Sequence, residues 1–98
     1  AKILKQGRDL AVKLGKKVPL LQNNLGLSYF HQKEFEGAMV MFDEALKIDP
    51  NLVEALYNRS LIYEEKGDKK SYGQEIQKVF SLNPQFKDVK QRIAKLAA

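Results

Sequence analysis

Apolar side chains recur three and four residues apart in short runs along this chain, and polar turns or prolines separate the runs. From Ile3 to Leu14 the positions are Ile3, Leu4, Leu10, Ala11 and Leu14, a broken helical spacing that Gly7 weakens and Gly15 ends. Lys16 to Val18 read as a link, and Pro19 suits the first turn of a second helix, where its missing N–H has no partner to lose. That helix runs to about Gln32, with Leu21, Leu25, Ser28 and Tyr29 on one face and Gly26 giving a partner helix room to approach. After a turn at Lys33 and Glu34, a third helix from Phe35 carries Ala38, Met41, Phe42, Ala45, Leu46 and Ile48 until Asp49-Pro50 stops it. A fourth, from about Leu52, places Ala55, Leu56, Ser60 and Tyr63 on a stripe and breaks at Gly67-Asp68. Tyr72, Ile76, Val79 and Phe80 mark a fifth, ended by Asn83-Pro84. The last twelve residues read as a final amphipathic helix, Val89, Ile93, Ala94 and Leu96 set among Lys87, Lys90, Arg92 and Lys95.

Six short helices make an all-α array, and it repeats. Pro50 and Pro84 each close the same helix, turn, helix pattern, and the distance between them in sequence is the repeat period. A helical pair of this length packs only against its neighbours, and a stack of such pairs displays an extended concave surface. The pattern therefore predicts a binding scaffold and not a catalytic fold.

The residues that carry the repeat also resemble a known family. Leu25-Gly26, Tyr29, Ala38, Phe42, Ala45 and Pro50 look like a tetratricopeptide repeat, with Gln22 where the family's leading Trp would stand. In the next unit Leu56 takes the Trp place and Ser60 the small-residue place, Tyr63 and Pro84 match, and Gly67-Asp68 falls at the preferred turn. Arg59, Tyr72, Ile76 and Val79 depart from the pattern. The resemblance implies a right-handed α-solenoid of antiparallel helix pairs, about 2.5 units plus an N-terminal helix. Residues 1–17 would be that helix, as a cap or a degenerate half repeat with Ala11 and Leu14 in register and Arg8 where an aromatic belongs. Residues 18–52 and 53–86 would be the two units, and 87–98 a C-terminal capping helix. Gly26 and Ser60 would let helices cross closely while Tyr29, Phe42, Tyr63 and Phe80 fill between them. Leu25 and Phe42 are expected in the core, each worth about 2–5 kcal/mol on truncation to Ala.

In this family the first helix of each unit lines the concave groove. The resemblance thus assigns Leu20, Asn23, Leu27, Phe30 and His31, then Glu54, Tyr57, Asn58, Leu61, Glu64 and Glu65, with Gln91 and Lys95 from the last helix. An apolar floor beside Asn23 and Asn58, rimmed by Glu64 and Glu65, suits a peptide or helix of a protein partner that inserts apolar anchors and a Lys or Arg. One subgroup of the family grips the C-terminal carboxylate of chaperone tails. The places matching that clamp here hold Asn23, Leu27, Leu61, Gln91 and Lys95, of which only Lys95 is charged. A carboxylate beside two leucines would lose its hydration at a cost of several kcal/mol, so such tails are not the expected partner. The competing reading, of equal weight for each residue, has Leu27 and Leu61 packing beneath neighbouring helices.

Composition narrows the alternatives. The 98 residues are 44% hydrophobic and 30% charged, and no apolar run approaches the roughly 18 residues of a membrane span. The formal charge of +5 divides as +5 over residues 1–17, −3 over 18–86 and +3 over 87–98. Basicity thus belongs to the ends, which weakens the case for a nucleic-acid groove along the repeats. Lys2, Lys5, Arg8, Lys13, Lys16 and Lys17 could meet an acidic protein, a membrane surface or nucleic acid, but no aromatic side chain interleaves them for base stacking. Cysteine is absent and His31 is the sole histidine, so nucleophilic triads and His-rich or Cys-based metal sites lack the residues they need. No cofactor motif is present, and no enzymatic activity is expected. Asn58-Arg59-Ser60 fits the glycosylation triplet, yet it lies within a helix. The N-terminus lacks the apolar core of a secretory signal, and a start at Ala1 suggests an excised fragment; the compartment stays open, with the cytoplasm favoured. A second function, of a different class, is an assembly module of a longer repeat protein, self-associating through its terminal helices.

Overall fold

The computed structural model describes residues 17–97, which form five α-helices: α1 (Lys17–His31), α2 (Phe35–Ile48), α3 (Val53–Glu65), α4 (Lys69–Leu82) and α5 (Val89–Ala97). The helix expected over residues 3–14 lies outside the described residues. α1 pairs with α2 and α3 with α4, α2 packs on α3 and α5 on α4, an all-α helical repeat solenoid. Two boundaries differ from the sequence reading. Lys17 and Val18 are already helical, so Pro19 sits among the first N–H groups, which lack intrahelical acceptors. The last helix begins at Val89, because Lys87 takes a left-handed conformation (φ 44°) and forms a turn with Asp88.

The turns show the repeat in hydrogen bonds. After α2, the Asp49 carboxylate accepts from the Asn51 N–H at 3.2 Å and its carbonyl accepts from Leu52 at 3.1 Å. After α4 the same pair recurs one repeat on: the Asn83 side chain accepts from Gln85 at 3.1 Å and its carbonyl from Phe86 at 3.1 Å. Each proline therefore sits within a side-chain-closed turn that ends the helix and re-aims the chain. The turn inside each unit repeats less completely. Gly67 (φ 76°) and Lys33 (φ 63°) occupy equivalent places, and Asp68 caps α4 by accepting from Ser71 N–H, whereas Glu34 makes no side-chain cap on α2.

The core has two parts. Ala38, Phe42 and Ile62 are fully buried, with Phe30, Phe35 and Met39 packed on them. A larger cluster joins Ala45, Leu46, Leu52, Ala55, Leu56, Tyr57, Ile76, Val79 and Val89. Gly26 is where α1 meets α2: a Cβ there would lie 2.5 Å from the Phe42 ring. Leu25, in contrast, is 55% exposed, and Leu21 and Ile48 are also exposed, which corrects their assignment to packed faces, whereas the Tyr29 ring, although partly open to solvent, lies against Gly37 of α2. The cause is positional. The counterparts of Leu21 and Leu25 in the second unit, Ala55 and Arg59, lie against α2, and no other described helix covers the equivalent face of α1.

Arg59 departs from the repeat pattern for a reason the structure supplies. Its guanidinium donates to both carboxylate oxygens of Glu75 on α4, at 3.1 and 2.6 Å, and to Asp43 on α2 at 3.0 Å. One side chain on α3 thus ties together the helices on either side of it.

Candidate functional site

α1 and α3 are the leading helices of successive pairs and touch along the face that the groove reading selects. At their contact the Asn58 amide donates to the Asn23 side-chain oxygen at 2.9 Å, and both residues are almost fully buried. Each keeps a second amide function beyond this bond, a donor on Asn23 and an acceptor on Asn58.

The apolar side chains are disposed unequally about this pair. Leu20 and Leu61 are half-buried and packed on the larger core cluster. Phe30 is half-buried against the Phe42 cluster, its ring 5.5 Å from Phe35 and 6.0 Å from the exposed His31. Leu27 is partly exposed and belongs to neither cluster. Glu54 is partly exposed and Glu65 exposed.

Tyr57 anchors a second, polar centre between α3, α4 and α5. Its ring is buried, edge-on to Phe86 at 5.5 Å, with the Lys87 ammonium 5.4 Å and the Arg92 guanidinium 5.5 Å from its centroid. Its hydroxyl donates to Asp88. Arg92 donates from Nε to both Asp88 oxygens at 3.1 Å, and from Nη1 to Glu64 at 3.2 Å and to the Tyr72 hydroxyl at 2.8 Å. Burial pushes the Tyr57 phenol above its ordinary value and the bond to Asp88 adds to this, while that same bond, then Arg92, holds the Asp88 carboxyl down. Burial opposes the charge of Arg92, but its bonds to Tyr72, Asp88 and Glu64 more than offset that and raise its pKa.

The structure joins Asn23 to Asn58 and, separately, Tyr57 to Glu64 through Asp88 and Arg92, and it leaves Gln91 and Lys95 exposed outside that network. Asp88, Arg92, Lys87, Phe86 and Tyr72 were missed by sequence reasoning. The signal for two of them was available, since Asp88 and Arg92 are four residues apart, the spacing of a helical ion pair.

A recess of 440 Å³ opens elsewhere, lined by Asp43, Leu46, Lys47, Pro50, Leu56, Arg59, Tyr63 and Lys78. The Arg59 guanidinium in its wall is already committed to Glu75 and Asp43. Among the described residues no group of three or more His, Cys, Asp or Glu side chains is placed to hold a metal ion, and no helix is long and apolar enough to cross a membrane.

Comparison with known proteins decides the family. A profile described as Tetratricopeptide repeat matches residues 19–52, and a second of the same description matches 41–71, so paired matches run across the first unit and into the second. The chain belongs to the tetratricopeptide repeat family. Among curated proteins this tetratricopeptide repeat chain is 37% identical over 91 residues to an uncharacterized protein, ycf37, of Pyropia yezoensis, covering 91% of the chain and 51% of that protein. It is also 37% identical over 46 residues to the Photosystem I assembly protein Ycf3 of Acaryochloris marina, covering 47% of the chain and 28% of that protein. The repeat chain therefore spans about half the length of the first relative and less of the second.

Proposed function

We propose that this tetratricopeptide repeat chain is a non-catalytic scaffold that holds a segment of a partner protein in the groove formed by α1, α3 and α5. The observation that carries the reading is the buried Asn23–Asn58 pair beside the partly exposed Leu27. An extended peptide presents one N–H and one C=O per residue, which the remaining donor of Asn23 and acceptor of Asn58 complement, while Leu27 and Phe30 offer apolar contact. Leu20 and Leu61 pack on the core and supply mainly shape. Arg92 is already satisfied by Asp88, Glu64 and Tyr72, so a ligand carboxylate would have to displace those partners, which disfavours carboxylate-terminated tails.

The similarity to the Photosystem I assembly protein favours a partner that is itself a subunit of a multi-protein complex, held during its assembly. Affinity capture from source-cell lysate with the native chain and with Leu27→Glu tests the groove. The variant is expected to keep its helical circular dichroism and to lose the captured partner. A partner retained equally by a folded Leu27→Glu chain overturns the groove reading.

A further inference from the structure

The recess between α2, α3 and α4 uses a different face of α3 from the groove. Leu56, Arg59 and Tyr63, three and four residues apart, share the face that lines it, whereas Tyr57, Leu61 and Glu64 share the groove side. The buried Leu46 and Leu56 form its floor, with the exposed Pro50 and the half-buried Tyr63 ring beside them. Its volume of 440 Å³ falls within the range of about 300–1,000 Å³ typical of ligand sites. It opens to solvent instead of enclosing its contents, which suits a side chain carried on a partner's backbone better than a free small molecule.

The charges around the recess are unevenly committed. Arg59 holds both Glu75 and Asp43, so those two carboxylates are already paired. Lys47 on α2 and Lys78 on α4 also line the recess, and both are exposed. Neither ammonium group enters an ion pair among the described residues. Arg59, Lys47 and Lys78 against Asp43 and Glu75 leave a net +1 here, although residues 18–86 together carry −3. The equivalent recess one repeat on, between α4 and α5, is lined by Gln77, Phe80, Ile93, Leu96 and Ala97 and bears no charge. Asp43, Leu46 and Arg59 correspond there to Gln77, Phe80 and Ile93. The repeat thus supplies the hollow at both junctions, and the α2–α3–α4 junction adds the cations.

We propose that this recess is a second docking site, separate from the groove, for an acidic segment of a partner protein. An apolar or aromatic side chain of the segment rests over Leu46 and Leu56 against Tyr63, and flanking Asp or Glu carboxylates meet Lys47 and Lys78. The two ammonium groups stand on the helices that pack on either side of α3, so they bracket the anchor with charge complementary to the segment.

Selection of a phage-displayed library of short random peptides on the full chain tests this. Selected peptides are expected to combine Asp or Glu with an aromatic or large aliphatic residue and to bind more weakly as salt is raised. Lys47→Gln/Lys78→Gln is expected to lower their affinity about three- to tenfold. Lys47→Arg/Lys78→Arg keeps the charge and is expected to bind as the native chain does. So is Lys69→Gln/Lys70→Gln, which removes equal charge from exposed positions of α4 outside the recess. Leu27→Glu, in the groove, is expected to leave these peptides bound, so failure of the groove reading and failure of this one are separate results. A selection without acidic peptides, or acidic peptides weakened equally by both pairs of Gln substitutions or lost with Leu27→Glu, overturns the proposal. Dimerisation of the native chain in sedimentation that disappears in Lys47→Gln/Lys78→Gln assigns the recess to a second copy and also overturns it.

Discussion

Lys33 and Gly67 occupy the same left-handed place in equivalent turns, and only the glycine, having no Cβ to crowd the backbone, adopts it without strain. The neighbouring difference points the same way, since Asp68 caps its helix and Glu34 does not. Making the first turn like the second, with Lys33→Gly and Glu34→Asp, is expected to stabilise the chain by about 1–2 kcal/mol, from relieved backbone strain and a gained N-cap. In a domain of this size that raises the melting temperature by roughly 4–8 °C per kcal/mol, which thermal denaturation by circular dichroism reads. Asp88 supplies a pH signature. Its folded-state pKa lies below the ordinary carboxylate value, so its stabilising effect is full above that value, about 3.9, and is lost as pH falls through the lower folded value. Asp88→Asn is therefore expected to be less stable than the native chain at neutral pH, with the gap closing below about pH 4 in urea melts taken across that range.

At the scale of the helix, α3 is held by two unlike devices on neighbouring faces. One is apolar, Ala55, Leu56 and Ile62 buried between helices; the other is the Arg59 fork across to Asp43 and Glu75. Arg59→Leu restores an apolar side chain but strands the mostly buried Glu75 carboxylate, at an expected loss of about 1–3 kcal/mol. Replacing both, as Arg59→Leu/Glu75→Gln, removes the stranded charge and should recover most of that loss, so a double-mutant cycle by chemical denaturation gives a coupling energy well above zero. A cycle that sums to zero would show the pair to be dispensable to the α2–α3–α4 contact. The α5 helix is anchored by one buried apolar residue, Val89, and by the Arg92 network, which makes the polar contacts a larger share of what docks it.

For the whole molecule, the helical array was legible because the apolar period and the two Asp/Asn-Pro stops act within a few residues of sequence. Ala38, Phe42 and Ala45 are buried where that period places them. Leu25 has the same period and is exposed, because periodicity marks a face as apolar without saying what lies over it. Asn23 and Asn58 were singled out by the repeat register, though not as partners of each other; the Tyr57–Asp88 and Arg92–Glu64 bonds join residues 31 and 28 positions apart and leave no local pattern to read. The side-chain-closed turns at Asp49 and Asn83 have a consequence of another kind. The two hydrogen bonds that close each turn recur at the same places, so the segment from Asn51 to Pro84, which begins after one such turn and ends in the other, is a cassette that can be copied in tandem. A chain carrying that cassette twice is expected to gain one helix pair and a higher denaturation midpoint, since each added repeat contributes its own stability and one more interface. Growth by duplication, with the surface of each copy then free to diverge, is built into the turn.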